Sequence, residues 1–151
     1  MTKLCLCLTG DTLAKDLAIV DQYRSLVDLV ELRVDCLQPQ EQFFLRDFPE
    51  KAGLPVILTI RRKTDGGFFD QGEGVRLVLF AKGLSYASED HVKNYAYIDL
   101  EHDFHVPALE EAARTFGTRI IRSRHFIHGM PDDLPGVWKE ISLESYEIPK
   151  L

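Results

Sequence analysis

His125 ends the run Thr118-Arg119-Ile120-Ile121-Arg122-Ser123-Arg124-His125-Phe126, which starts β-branched and apolar and finishes ionisable. An imidazole in that place either transfers protons near neutral pH or meets solvent as an ordinary rim residue. Three more runs finish the same way. Alternation puts Glu31, Arg33 and Asp35 on one face of a strand, Ile57, Thr59 and Arg61 on one face of another, and Tyr97, Asp99 and Glu101 on one face of a third. Charges at a single strand end often do no more than meet water. Four such ends suggest a shared polar cluster at the C-terminal edge of a parallel sheet, where α/β folds place their active sites. Arg33 and Arg61 would fork onto the carboxylate or hydroxyl groups of a ligand, with Glu31, Asp35, Asp99 and Glu101 keeping them paired and oriented. Lys150 lies between Pro149 and Leu151 in an apolar run. Desolvation there is expected to lower its pKa and favour the nucleophilic amine.

The elements that must position these groups alternate along the chain. Strands are expected over 3–9, 29–35, 56–62, 95–101 and in the His125 run, with helices from Asp11 or Thr12 to about Asp21, over 74–87 and over 107–116. Pro107 opens the last of these and Gly117 closes it. A short helical pattern over 41–48 is closed by Pro49, and residues 132–145 are partly helical, broken at their start by Pro135-Gly136. Ile148–Leu151 reads as the opening of a sixth strand. Residues 1–151 show no linker and no internal boundary, so one α/β domain is expected. It is either an open five-stranded sheet or part of a closed (β/α)8 barrel, which takes about 250 residues when complete.

Composition excludes several functions. The chain is 45% hydrophobic and 28% charged, with a net charge of −6. That balance argues against nucleic-acid binding, and no apolar run is long enough for a membrane helix. The short apolar run after Met1-Thr2-Lys3 is no signal peptide, so a cytoplasmic protein is expected. Cys5, Cys7 and Cys36 make no disulfide framework. Cys5 and Cys7 share a face and are read as small buried or semi-buried thiols. His102, His105, His125 and His128 fit no zinc spacing, so no metal is expected. The glycine-rich stretch from Asp65 to Gly74 lacks a phosphate-loop ending and reads as a mobile covering loop. Phe43, Phe44, Phe48 and Leu77 to Phe80 are read as helix core positions.

Five motifs in order resemble the type I 3-dehydroquinate dehydratases: Glu31-Leu32-Arg33-Val34-Asp35, Leu58-Thr59-Ile60-Arg61 followed by Asp65-Gly66-Gly67, Ile98-Asp99-Leu100-Glu101, Ser123-Arg124-His125 and Ile148-Pro149-Lys150. The resemblance implies a (β/α)8 barrel of TIM type, with about the first five and a half βα units in this chain. It implies the shikimate-pathway reaction, in which 3-dehydroquinate loses water to give 3-dehydroshikimate without metal or cofactor. Lys150 would form a Schiff base with the substrate ketone. His125 would take a proton from the adjacent carbon and later protonate the departing hydroxyl. Glu31, Arg33 and Arg61 fall on substrate-binding positions. Asp65 stands where the family usually has a glutamate that orients the histidine. Phe126 replaces an Asp or Asn, and Cys7 a serine. The family's later strands supply an arginine and a lid that have no counterpart before Leu151, so little or no turnover is expected of this polypeptide alone. Besides the substrate, the expected partner is a second copy or a complementing C-terminal segment. Two other readings stay open: a non-catalytic half-barrel that works by association, and a metal-dependent hydrolase.

Overall fold

A computed structural model describes residues 2–84, 90–142 and 147–151. Its sheet has six parallel strands: β1 (Cys5–Leu8), β2 (Leu29–Arg33), β3 (Val56–Thr59), β4 (Tyr97–Glu101), β5 (Arg119–Ser123) and β6 (Ile148–Lys150). Each strand pairs with the next in sequence, without reversal. A doubly wound sheet changes direction at a switch point, whereas a (β/α) barrel adds strands in chain order. The order observed is the barrel's, and the open five-stranded alternative falls. The sixth strand is present, as the Ile148–Leu151 run suggested.

Helices α1 (Leu13–Tyr23), α2 (Phe48–Ala52), α3 (Glu73–Leu84), α4 (Pro107–Thr115) and α5 (Leu134–Ile141) occupy the connections. The Thr12 hydroxyl caps α1 by accepting from the Lys15 amide at 3.3 Å. Val30, Leu32, Leu58, Ile98 and Leu100 are wholly buried in the main core, together with Val20, Phe48, Ala52 and Phe80 from the helices. The opposite, concave face starts with a small apolar tier of Leu29, Ile57 and Ile121, against which Tyr97 and Ile148 pack. Strands apolar on both sides at their start and polar on one side at their end are what the sequence patterns require.

Several expectations change. Residues 41–47 form two 3-10 turns rather than a helix, and Pro49 sits in the first turn of α2 instead of closing a helix. A missing N–H is harmless there. Pro135 likewise lies in the first turn of α5, where the Asp133 carboxylate accepts from the Gly136 amide at 2.9 Å. Phe48 is buried, but Phe43 and Phe44 are exposed, as is Val78. β2 stops at Arg33, which leaves Asp35 in a 3-10 turn. β4 starts at Tyr97 because Tyr95 is drawn into the core, its hydroxyl donating to Leu45 O at 2.6 Å. The expected helix ends at Ser85–Ala87 and Leu143–Ser145 lie outside the described residues.

The first half of the glycine-rich loop is pinned against the end of β3. Its backbone doubles back on β3: Phe69 N donates to Arg61 O, and Lys63 N to Phe69 O, both at 3.1 Å. Phe69 is buried, and Phe68 N donates to Asp35 at 3.1 Å. A Cβ on Gly67 would lie 2.2 Å from Arg61 O, so only glycine permits this approach.

Candidate active site

Above the apolar tier the concave face turns polar. Glu31 from β2, Thr59 from β3, Asp99 from β4, Ser123 from β5 and Lys150 from β6 converge there. The Thr59 hydroxyl donates to Glu31 Oε1 at 2.8 Å. Lys150 Nζ donates to Asp99 Oδ2 at 2.7 Å and to Glu31 Oε1 at 3.4 Å. The Ser123 hydroxyl donates to the other oxygen of Asp99. Arg61, just past β3, brings Nη2 to 3.8 Å from Glu31 and 3.9 Å from Asp99. Two carboxylates thus face two cations.

Electrostatics sets the charge states. Burial disfavours the charged form of Glu31, but Lys150, the Thr59 hydroxyl and Arg61 outweigh it and hold the carboxyl below its usual range. Burial also opposes the charge on Lys150, and here Asp99 and Glu31 outweigh it, so the pKa is raised. That corrects the expectation of a depressed lysine. The amine enters a carboxylate-lined hollow rather than an apolar wall, and it rests as the ammonium.

His125 lies two residues past β5. Burial lowers its pKa, Arg61 and Lys150 add to the effect, and Asp99 and Asp65 oppose it. The neutral imidazole is therefore favoured, and its Nε2 is buried without a hydrogen-bond partner among the described residues. A cavity of about 360 Å³, lined in part by Arg124, His125, Phe126 and Met130, opens beside it. Small-molecule sites begin near that size.

Two expected partnerships are not formed. Asp65 does not hydrogen-bond His125. Its Oδ2 accepts from Arg62 Nε at 2.6 Å and from the Thr64 hydroxyl at 3.0 Å. Arg62 is anchored in turn on Asp103 at 2.8 Å. Glu101 does not join the arginines of the cluster either. It pairs with the buried Arg76 of α3. Arg33 does pair with Asp35 as expected, through two bonds of 2.9 and 2.7 Å. This occupies the Nε–Nη2 edge of its guanidinium. Cys5 and Cys7 share the concave face as expected, but they are exposed rather than buried. Among the described residues no three His, Cys, Asp or Glu side chains group to hold a metal.

Sequence reasoning named Asp99 only as a partner for arginines and missed its contact with Lys150. The register gives no direct pointer to it, because Asp99 pairs with Ile121 while Lys150 pairs with Ser123. The contact runs diagonally across the concave face, and strand patterns carry no signal for it.

A singly wound run of parallel strands, with a lysine and a histidine at the C-terminal edge of its concave face, defines a partial (β/α) barrel. A family model, type I 3-dehydroquinase, matches residues 4–151, and the chain belongs to that family. It is 34% identical over 113 residues to the 3-dehydroquinate dehydratase of Archaeoglobus fulgidus, an alignment covering 73% of this chain and 47% of that one. It is 32% identical over 132 residues to the pentafunctional AROM polypeptide of Komagataella phaffii, covering 82% of this chain and 8% of that one. The 3-dehydroquinate dehydratase structure from Enterococcus faecalis superposes with a TM-score of 0.79 at 18% identity, over 97% of this chain and 66% of that one. The chain thus spans less than half the length of the archaeal relatives it matches. No helix among the described residues is long and apolar enough to cross a membrane.

Proposed function

We propose that residues 1–151 form one partial (β/α) barrel domain of a cytoplasmic 3-dehydroquinate dehydratase, a lyase of the shikimate pathway, with little or no turnover unless the C-terminal part of the barrel is supplied. One observation carries this: the Lys150 amine, at the end of β6, enters a polar hollow whose electrostatics also reach the neutral His125. Lys150 gives up a proton to solvent, and its nitrogen attacks the ketone. The adduct's oxygen takes a proton back from solvent and leaves as water, and the iminium that remains is an electron sink that acidifies the neighbouring C–H. His125 takes that proton. The resulting enamine expels the β-hydroxyl, which leaves as water with the proton returned by His125. Hydrolysis of the imine releases 3-dehydroshikimate and restores the amine. Glu31, Arg61 and the free edge of Arg33 hold the substrate's hydroxyl groups. Asp65 acts on His125 through its charge rather than through a hydrogen bond, since Arg62 holds its carboxylate.

The first half of this sequence can be followed without complete turnover. With 3-dehydroquinate in deuterated water, proton NMR is expected to show protein-dependent loss of the signal next to the ketone. A folded chain that leaves this signal at its buffer rate even with a complementing C-terminal segment supplied contradicts the reading.

A second copy or a complementing C-terminal segment is the partner proposed. β1 and β6 are the two ends of the sheet, and Cys5 and Cys7 of β1 lie exposed on its concave face. A parallel edge left unpaired is a template for another strand. Light scattering is expected to give a mass above one chain; a monodisperse monomer would rule out the self-paired form.

A further inference from the structure

β4 and β6 are not neighbours in the sheet, because β5 lies between them. Asp99 and Lys150 nevertheless meet across the concave face at 2.7 Å. Both oxygens of the Asp99 carboxylate are engaged, one by Lys150 and the other by Ser123, whose side chain is wholly buried. Ser123 is also the register partner of Lys150, so the hydroxyl that holds Asp99 and the amine that Asp99 receives are carried by paired residues. Glu31 is held differently: its Oε1 is shared among Thr59 at 2.8 Å, Lys150 at 3.4 Å and Arg61 at 3.8 Å. A lysine stem has four rotatable carbons and no directional fork, so its direction must come from what it touches.

We propose that Asp99, clamped by the Ser123 hydroxyl, is a positioning residue for Lys150 that fixes where its amine enters the concave face. The idea rests on the Schiff-base reading for its catalytic meaning but not for its geometry. A pre-set amine meets a carbonyl in one orientation and loses little freedom on attack. The titratable and charged groups facing Lys150 are Cys5 from β1, Glu31 from β2, Arg61 after β3, Asp99 from β4 and His125 after β5. Asp99 leads those that favour the ammonium. Removing its charge therefore lowers the pH at which Lys150 becomes the free amine.

Competitive acetylation with acetic anhydride across a pH series, read by peptide mapping, measures this on the whole chain with the exposed Lys139 as internal reference. Asp99→Asn is expected to move the Lys150 labelling midpoint down by about 1–3 pH units, with Lys139 unmoved. Ser123→Ala is expected to move it the same way by less, and it carries the test if Asp99→Asn does not fold. A role in stability alone would lower the melting temperature and leave the midpoint in place, and an unmoved midpoint in a folded variant overturns the proposal. The dehydratase reading fails separately: it falls if 3-dehydroquinate never modifies Lys150, whatever the midpoint does.

Discussion

Replacing His125 by alanine is expected to slow exchange of the proton next to the substrate ketone by about 10²–10⁴-fold, while 3-dehydroquinate still attaches to Lys150. The split follows from geometry. Lys150 is held by Asp99 and Glu31, and His125 is not among its hydrogen-bond partners. The imidazole has an unpartnered, buried Nε2 and is held neutral by burial, with Arg61 and Lys150 adding to the effect. The wild-type pH profile carries the same information. His125 has a lowered pKa, so the basic imidazole persists at pH values where an ordinary histidine is already protonated. Exchange should therefore hold on the acid side of 6.5, the ordinary value, before it falls. Proton NMR in deuterated water across pH checks both. A His125→Ala chain that exchanges within about 3-fold of wild type would make the imidazole a bystander, since positioned proton transfer contributes far more than that.

Replacing Arg76 by alanine is expected to destabilise the fold by about 3–5 kcal/mol, the usual consequence of leaving a buried charge without its partner. Arg76 is wholly buried. Its guanidinium donates to Ile60 O at 2.7 Å, to Glu73 at 2.9 Å and to Glu101, and lies 4.5 Å from the Phe104 ring centre. Removing it strands Glu101, a carboxylate whose pKa burial already raises against the pull of Arg76. A raised carboxylate stabilises the fold below its unfolded pKa, and that contribution is lost as pH rises through the folded one. Without Arg76 the rise is larger. The deficit of the variant should therefore be smallest near pH 4, where only the lost packing and the Ile60 bond remain, and grow toward neutrality, starting from about the ordinary value of 4.5. Thermal unfolding at a series of pH values measures it, with a loss of roughly 6–20 °C expected at pH 7. A variant that melts with wild type at neutral pH would mean that Glu101 is hydrated and the pair contributes nothing. Arg76→Met combined with Glu101→Leu should recover much of the loss, because an apolar pair of similar volume leaves no charge behind.

Periodicity made the parallel α/β sheet legible, and the resemblance of five motifs made the barrel so. Runs such as Leu29–Arg33 and Tyr97–Glu101 alternate cleanly, and their polar positions point to one face. The order of strands was not readable from them, because alternation records which side a residue faces and not which strand lies next to it. The same limit hid the partners. Asp65 was placed opposite His125, yet Arg62, three residues earlier in the same turn, takes its carboxylate. Glu101 was placed with the cluster on alternation alone, yet it is the last residue of β4, and the buried arginine of α3 takes its side chain. Lys150 was given an apolar setting from its neighbours in sequence. Its neighbours in space are Asp99 and Glu31, 51 and 119 residues away, and they reverse the sign of its shift. The loop after Asp65 looked mobile for its glycines, whereas Gly67 is there to let the backbone lie against Arg61.

Lys150 as the covalent partner of a ketone is the central claim, and borohydride reduction in the presence of 3-dehydroquinate tests it most directly. Intact-mass and peptide spectra should show one reduced ligand per chain, located on Lys150 and absent from Lys150→Met. A folded chain that takes up no ligand mass with a complementing C-terminal segment supplied, or takes it up on another lysine, would contradict the account.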